Sequence, residues 1–186
     1  MPEAEGVIIA AAIAGLVAFY SLIVSKEQTV SGFRQEWIDE LRKDIATLAS
    51  RVSRIHGESI AARMDEKTLW GNVKEGLMEF NEVAARIRLR LNPHENRKKE
   101  ELATKAVLGI LEEFETTFAS PEPQFQKLQP LVKALVTHTQ IILKENWKRV
   151  RSGERIYQIT KWTTLGLTVL AIIISLVYGI RNVHGY

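Results

Sequence analysis

The residues best suited to chemistry are basic and lie on either side of a single turn signal. Arg86, Arg88 and Arg90 close one predicted helix, and Arg97, Lys98 and Lys99 open the next, with Asn92-Pro93-His94-Glu95 between them. Arg86 and Arg90 are four residues apart and share a helix face. Asn92 suits a helix cap, Pro93 the first helical position and Glu95 the return arm of a capping box, so a helix is expected to start at Asn92. Its free N–H groups and dipole would favour an anion. Arg86, Arg90, Arg97 and Lys98 are therefore the candidate anion-binding set, although cations at a helix C-terminus are favourable without any ligand.

Other chemistry is poorly supplied. The chain has no cysteine, which removes disulfides, thiolate nucleophiles and cysteine metal sites. His94-Glu95 begins a metalloprotease-like pattern, but Lys98 stands where the second histidine belongs. His56, His138 and His184 are isolated, and no nucleophile with a base is spaced for catalysis. The acidic groups Asp39-Glu40 and Glu112-Glu113-Glu115 fall where solvated faces are expected. No glycine-rich phosphate loop is present. No catalytic residue, metal site or cofactor is assigned, and an enzyme is not expected.

The elements that would position these residues are helical. Ala, Leu, Glu, Lys and Arg dominate the middle of the 186-residue chain, proline and glycine are sparse, and no segment has strand periodicity. Both ends are apolar. Gly6–Val24 and Trp162–Ile180 each run about nineteen residues without an ionisable group, enough to cross a bilayer. Trp162 and Tyr178 sit at the rims of the second run, where amphipathic rings favour headgroup depth. The first run follows an acidic Met1–Glu5 rather than a basic n-region, so it is expected to remain as a span. Lys26 follows it, while Lys144, Lys148, Arg149, Arg151, Arg155 and Lys161 precede the second; positive flanks stay cytosolic. That second basic group also suits anionic lipid headgroups.

The expected fold is all-α: two transmembrane helices flanking a cytosolic bundle of about four helices, oligomeric in use. Its boundaries are an external N-terminus 1–5, a first span 6–24, a cytosolic domain 25–161, a second span 162–180 and an external tail 181–186. Within the domain, Ser25–Gly32 reads as a polar link in which Gly32 relaxes the helix. Phe33, Trp37, Leu41, Ile45, Leu48, Val52 and Ile55 then form an apolar stripe that stops near Gly57. A second helix from Ser59 to Leu91 carries Leu69, Val73, Leu77, Phe80, Ala84, Ile87 and Leu91, widened by Trp70. A third, to Ala119, carries Leu102, Ala106, Ile110, Phe114 and Phe118 and closes at Ser120-Pro121. A fourth carries Leu128, Leu131, Leu135, Ile142 and Val150, with Gly153 its only interruption before the second span.

Within the second span, Thr164, Thr168, Ala171, Ser175 and Tyr178 recur at helical spacing and make one hydroxyl and small-residue stripe. Thr164, Thr168, Ala171 and Ser175 could line a pore between copies, because hydroxyls replace part of an ion's hydration. The same residues could equally support close helix packing. Ala11, Gly15 and Ala18 make a small-residue face on the first span better suited to packing. Neither span holds a charge, which argues against a proton-coupled carrier or a voltage sensor.

Two blocks, Phe33-Arg34-Gln35-Glu36-Trp37-Ile38-Asp39-Glu40-Leu41-Arg42 and Leu89-Arg90-Leu91-Asn92-Pro93-His94-Glu95, resemble segments of small two-span bacterial membrane proteins with a helical cytosolic insert. The layout is similar to the membrane effectors of bacterial antiphage defence, such as the Hailong type. This resemblance implies a homo-oligomeric ion channel in the inner membrane and a nucleotide or oligonucleotide ligand on the insert. It further implies a signalling enzyme as partner and inhibition of host growth on opening. It covers the whole layout, is carried by two short motifs, and transfers no ligand residue. From the residues alone, a membrane-anchored interaction scaffold without conduction is the competing expectation.

Overall fold

A computed structural model describes residues 2–61, 66–94, 97–120, 123–152 and 155–183. Among them the elements are α1 (Pro2–Ala61), α2 (Glu66–Arg90), α3 (Lys98–Ala119), a 3-10 turn (Phe125–Lys127), α4 (Leu128–Ser152) and α5 (Arg155–Val183), with no strand. The chain is all-α, as composition predicts. It divides into two units: residues 1–33 with 149–186, and residues 34–148.

α1 differs most from expectation. The predicted polar link at Ser25–Gly32 is helix throughout, and so is the predicted stop at Gly57. Ser21 Oγ and Thr29 Oγ1 donate to the carbonyls of Val17 (2.9 Å) and Ser25 (3.0 Å) one turn back, so these hydroxyls do not compete with the helix. A glycine costs a helix interior about 1 kcal/mol against alanine, too little to end one that continues on both sides. Ser59 thus belongs to α1, its Oγ donating to the carbonyl of His56 at 2.7 Å, and α2 begins only at Glu66.

The expected helix start at Asn92 is also displaced. Asn92 Oδ1 accepts the N–H of His94 at 3.0 Å, an Asx turn that spends the capping oxygen locally, and α3 opens six residues later at Lys98. Its N-cap is Arg97, extended and without a side-chain cap bond. Glu95, the proposed return arm, lies outside the described residues, as does Gly153. The other end of α3 follows its signal: Ser120 is extended at ψ 137° because it precedes proline.

Residues 34–148 share one core drawn from α1, α2, α3 and α4. Leu41, Ile45, Leu48, Val52 and Ile55 are buried as the α1 stripe predicts, while Phe33 at its head is 67% exposed. Phe80, Ala84, Ile87 and Leu91 are buried on α2, where the side chains of Leu69, Trp70 and Val73 lie outside the described residues. On α3 the stripe is shifted by one position at its start: Ala103, Thr104 and Val107 are buried and Leu102 is exposed. Phe80 anchors the centre, edge-on to Phe114 at 5.9 Å and to Phe118 at 5.1 Å, geometry that adds to area burial.

The other unit is sorted the opposite way. α1 and α5 are both long and apolar enough to cross a membrane, and their large aliphatic residues are exposed, from Val17 and Leu22 on α1 to Leu167, Leu170 and Ile173 on α5. The covered residues follow helical spacing: Ile13, Leu16, Tyr20, Ile23 and Glu27 on α1, and Lys161, Thr164, Thr168 and Ala171 on α5.

Candidate functional site

The basic corner is built around an acid that the apolar pattern hides. Asp44 falls between Leu41 and Leu48 on the buried face of α1, and its side chain is 5% exposed. A carboxylate held there must be paired. Arg86 Nε donates to Oδ1 at 3.0 Å and Arg90 Nε to Oδ2 at 2.9 Å, so both carboxylate oxygens are held from α2. The outer edges are tied as well: Arg86 to Glu82, and Arg90 Nη2 to Glu40 at 3.2 Å. The Arg86 guanidinium is held more firmly protonated than usual, chiefly by its hydrogen bond to Asp44.

Arg88 points elsewhere and makes a two-pronged pair with Glu115 of α3, at 2.6 and 2.8 Å. That bond raises its pKa. Trp37 Nε1 reaches the carbonyl of Arg90 at 3.3 Å, occupying one of the unpaired acceptors at the end of α2. Glu40 and Glu115, read from sequence as solvated, therefore serve as clasps between helices.

The four candidate anion ligands divide into two pairs. Arg86 and Arg90 are engaged by α1. Arg97 and Lys98 stand exposed at the start of α3, beside the end of α4. There Asn146 Nδ2 donates to Glu100 Oε1 at 2.6 Å and to the carbonyl of Ile142 at 3.0 Å, with both side chains buried. Glu145, next in the chain, is hydrogen-bonded by Lys148 at 2.7 Å. Lys148 holds it below the usual carboxylate range; burial opposes this, and the charges of Lys99 and Arg97 add to it.

Sequence reading missed Asp44, Glu100 and Asn146. The signal for Asp44 was present: a carboxylate at the spacing of an apolar stripe, one turn from leucine on each side.

A groove of about 760 Å³ opens between the late turns of α1 and the 3-10 turn, with His56, Ser59, Ile60, Phe125 and Lys127 on its walls. His56 Nδ1 donates to the carbonyl of Phe125 at 2.9 Å, which fixes the ring's tautomer because a carbonyl only accepts. Ser59 is spent on its own helix. Among the described residues no group of three His, Asp or Glu is placed to hold a metal ion.

In the other unit, the hydroxyl stripe is the covered face of α5. Thr164 is 5% exposed, Thr168 and Ala171 are half-buried, and the side chain of Ser175 lies outside the described residues. Thr168 Oγ1 donates to the carbonyl of Thr164 at 2.9 Å, so its polarity is satisfied within the helix. The small-residue face of α1 is turned outward instead. Ala11, Gly15 and Ala18 are exposed, and a Cβ built on Gly15 meets nothing within 4 Å.

Comparison with known proteins adds no relative. No protein-family model, curated protein or solved structure matches the chain.

Proposed function

We propose that this chain is a two-span membrane protein that works as a homo-oligomer, with residues 34–148 as a cytosolic domain controlling a pore formed between copies. The observation that carries this reading is the division of labour within the spans. The hydroxyl stripe of α5 is covered, and the small-residue face of α1 is left outward, free to receive another copy at close approach. One hairpin cannot enclose water. Several can, around an axis, and the Thr164, Thr168 and Ala171 face then supplies an uncharged hydroxyl and small-residue path along α5. Because that face is covered, the described conformation corresponds to a closed pore, and opening requires the spans to re-pack. The Asp44 clasp supplies a control point: an anionic signal that competes for Arg86 and Arg90 would loosen α2 from α1.

Purified protein in liposomes tests the reading. Ion flux above background is expected, reduced by Thr168→Leu, which dewets the path, and accompanied by loss of oligomer in Gly15→Leu. Correctly inserted liposomes that stay silent with nucleotide and oligonucleotide present would contradict it.

A second reading has its own support. With Arg86, Arg88 and Arg90 all paired internally, the cytosolic domain resembles a stable platform more than a receptor, as a membrane-anchored scaffold would need. It predicts oligomers without flux.

A further inference from the structure

One group of cations outside the Asp44 clasp lies where α3 begins and α4 makes its last turns. Asn146 and Glu100, both buried and 2.6 Å apart, tie the start of α3 to the last turns of α4. This brings the start of α3 beside Lys148: Arg97 and Lys99 act on Glu145 together with Lys148, and Lys98 lies between them in the chain. Lys144 and Lys148 lie one turn apart on α4, with Trp147 between them and 51% exposed. All five cations are exposed. The acids beside them are Glu145, held by Lys148, Glu101, held by Lys105, and the buried Glu100.

We propose that this surface, Arg97, Lys98 and Lys99 of α3 with Lys144, Trp147 and Lys148 of α4, docks on the phosphate groups of an anionic bilayer. The proposal rests on reading α1 and α5 as spans. Two features favour a lipid surface over a nucleic acid. An exposed tryptophan among lysines matches the headgroup region, where its ring is apolar on one side and wet on the other. Lys144 and Lys148 also lie on the basic flank of the second span, 18 and 14 residues before Trp162 in sequence. A basic cluster beside a span is attracted to anionic headgroups at low cost, since its side chains keep much of their hydration. The consequence is control by lipid composition: anionic lipid would hold the α3–α4 end against the membrane, and neutral lipid would release it.

Because the chain has no cysteine, a single one at Leu102, exposed and one turn beyond Lys98, can carry an environment-sensitive fluorophore. The full-length protein is placed in phosphatidylcholine vesicles, with or without phosphatidylglycerol, each containing headgroup-spin-labelled lipid. Quenching should be roughly two-fold or more stronger with phosphatidylglycerol. It should fall to the neutral-lipid level in high salt and in the Lys98→Glu/Lys99→Glu/Lys144→Glu variant, while the melting transition stays unchanged. Equal quenching in both lipids, with the chain still resistant to alkaline carbonate extraction, overturns the proposal. Extraction by carbonate overturns the span reading beneath it. Salt-sensitive binding of a single-stranded oligonucleotide at these residues, without a lipid effect, overturns it in favour of a nucleic-acid ligand.

Discussion

The two units are made of the same kind of helix and sort their side chains in opposite directions. In residues 34–148, Leu41, Leu48 and Phe80 are fully buried and charged residues cover the outside, locked across helices by pairs such as Arg88 with Glu115. In the other unit Leu167, Leu170 and Ile173 are exposed and Thr164 is covered. Water accounts for the first pattern; the second fits the proposed membrane reading, since lipid does not reward burying leucine and does penalise an exposed hydroxyl. On that reading the solvent, more than the helix, decides which face is the inside.

That contrast can be broken most forcefully in the core. Phe80→Ala removes a ring that touches both Phe114 and Phe118 and should cost about 3–5 kcal/mol, read as a lower melting temperature of the full chain in detergent. Leu170→Ala on the exposed face of α5 should change the same transition by less than about 0.5 kcal/mol. Similar losses at the two positions would show that α5 buries its aliphatic side chains as the core does.

The next effect is electrostatic. Asp44→Ala leaves Arg86 and Arg90 facing an apolar stripe and should cost about 2 kcal/mol, below the 3–5 kcal/mol of a wholly buried pair because both guanidinium groups retain access to water. Urea denaturation measures it, and a loss within error of zero would remove the clasp from the account. Arg88→Ala, breaking a half-exposed pair, should cost no more than about 1 kcal/mol.

The smallest effect depends on pH. Glu145 titrates below the usual carboxylate range in the folded chain, so the unfolded state binds the proton more readily. Its pairing with Lys148 stabilises the fold above the unfolded pKa of about 4.3 and is lost as pH falls through the lower folded value. Glu145→Gln should therefore lower neutral stability slightly and converge with the parent at low pH, flattening the acid limb of the stability curve in that window. An identical acid limb in parent and variant would contradict the pairing.

Much of this contrast is legible from residue spacing. The stripes of α1, α2 and α4 predict the core because periodicity at three and four residues directly encodes a helix face. The helix ends were harder to read. Gly32 and Gly57 suggested breaks, but one glycine is weak against continued hydrogen bonding, and Asn92 offered the same oxygen to a cap or to an Asx turn. The basic corner was visible as charge and not as pairing, because Asp44, Glu40 and Glu115 lie far from Arg86, Arg90 and Arg88 in sequence. The exposed Arg97 and Lys98 separate from that corner only once Asn146 meets Glu100.

The central claim is that the two apolar helices cross the membrane around a cytosolic domain, and topology tests it most directly. Single cysteines at Gln126, exposed in the middle of the domain, and at Tyr186 can be challenged with an impermeant thiol reagent in intact cells. Labelling at Tyr186 alone, with Gln126 reacting only after permeabilisation, is the predicted result. Equal labelling of both from outside, or of neither, would contradict it.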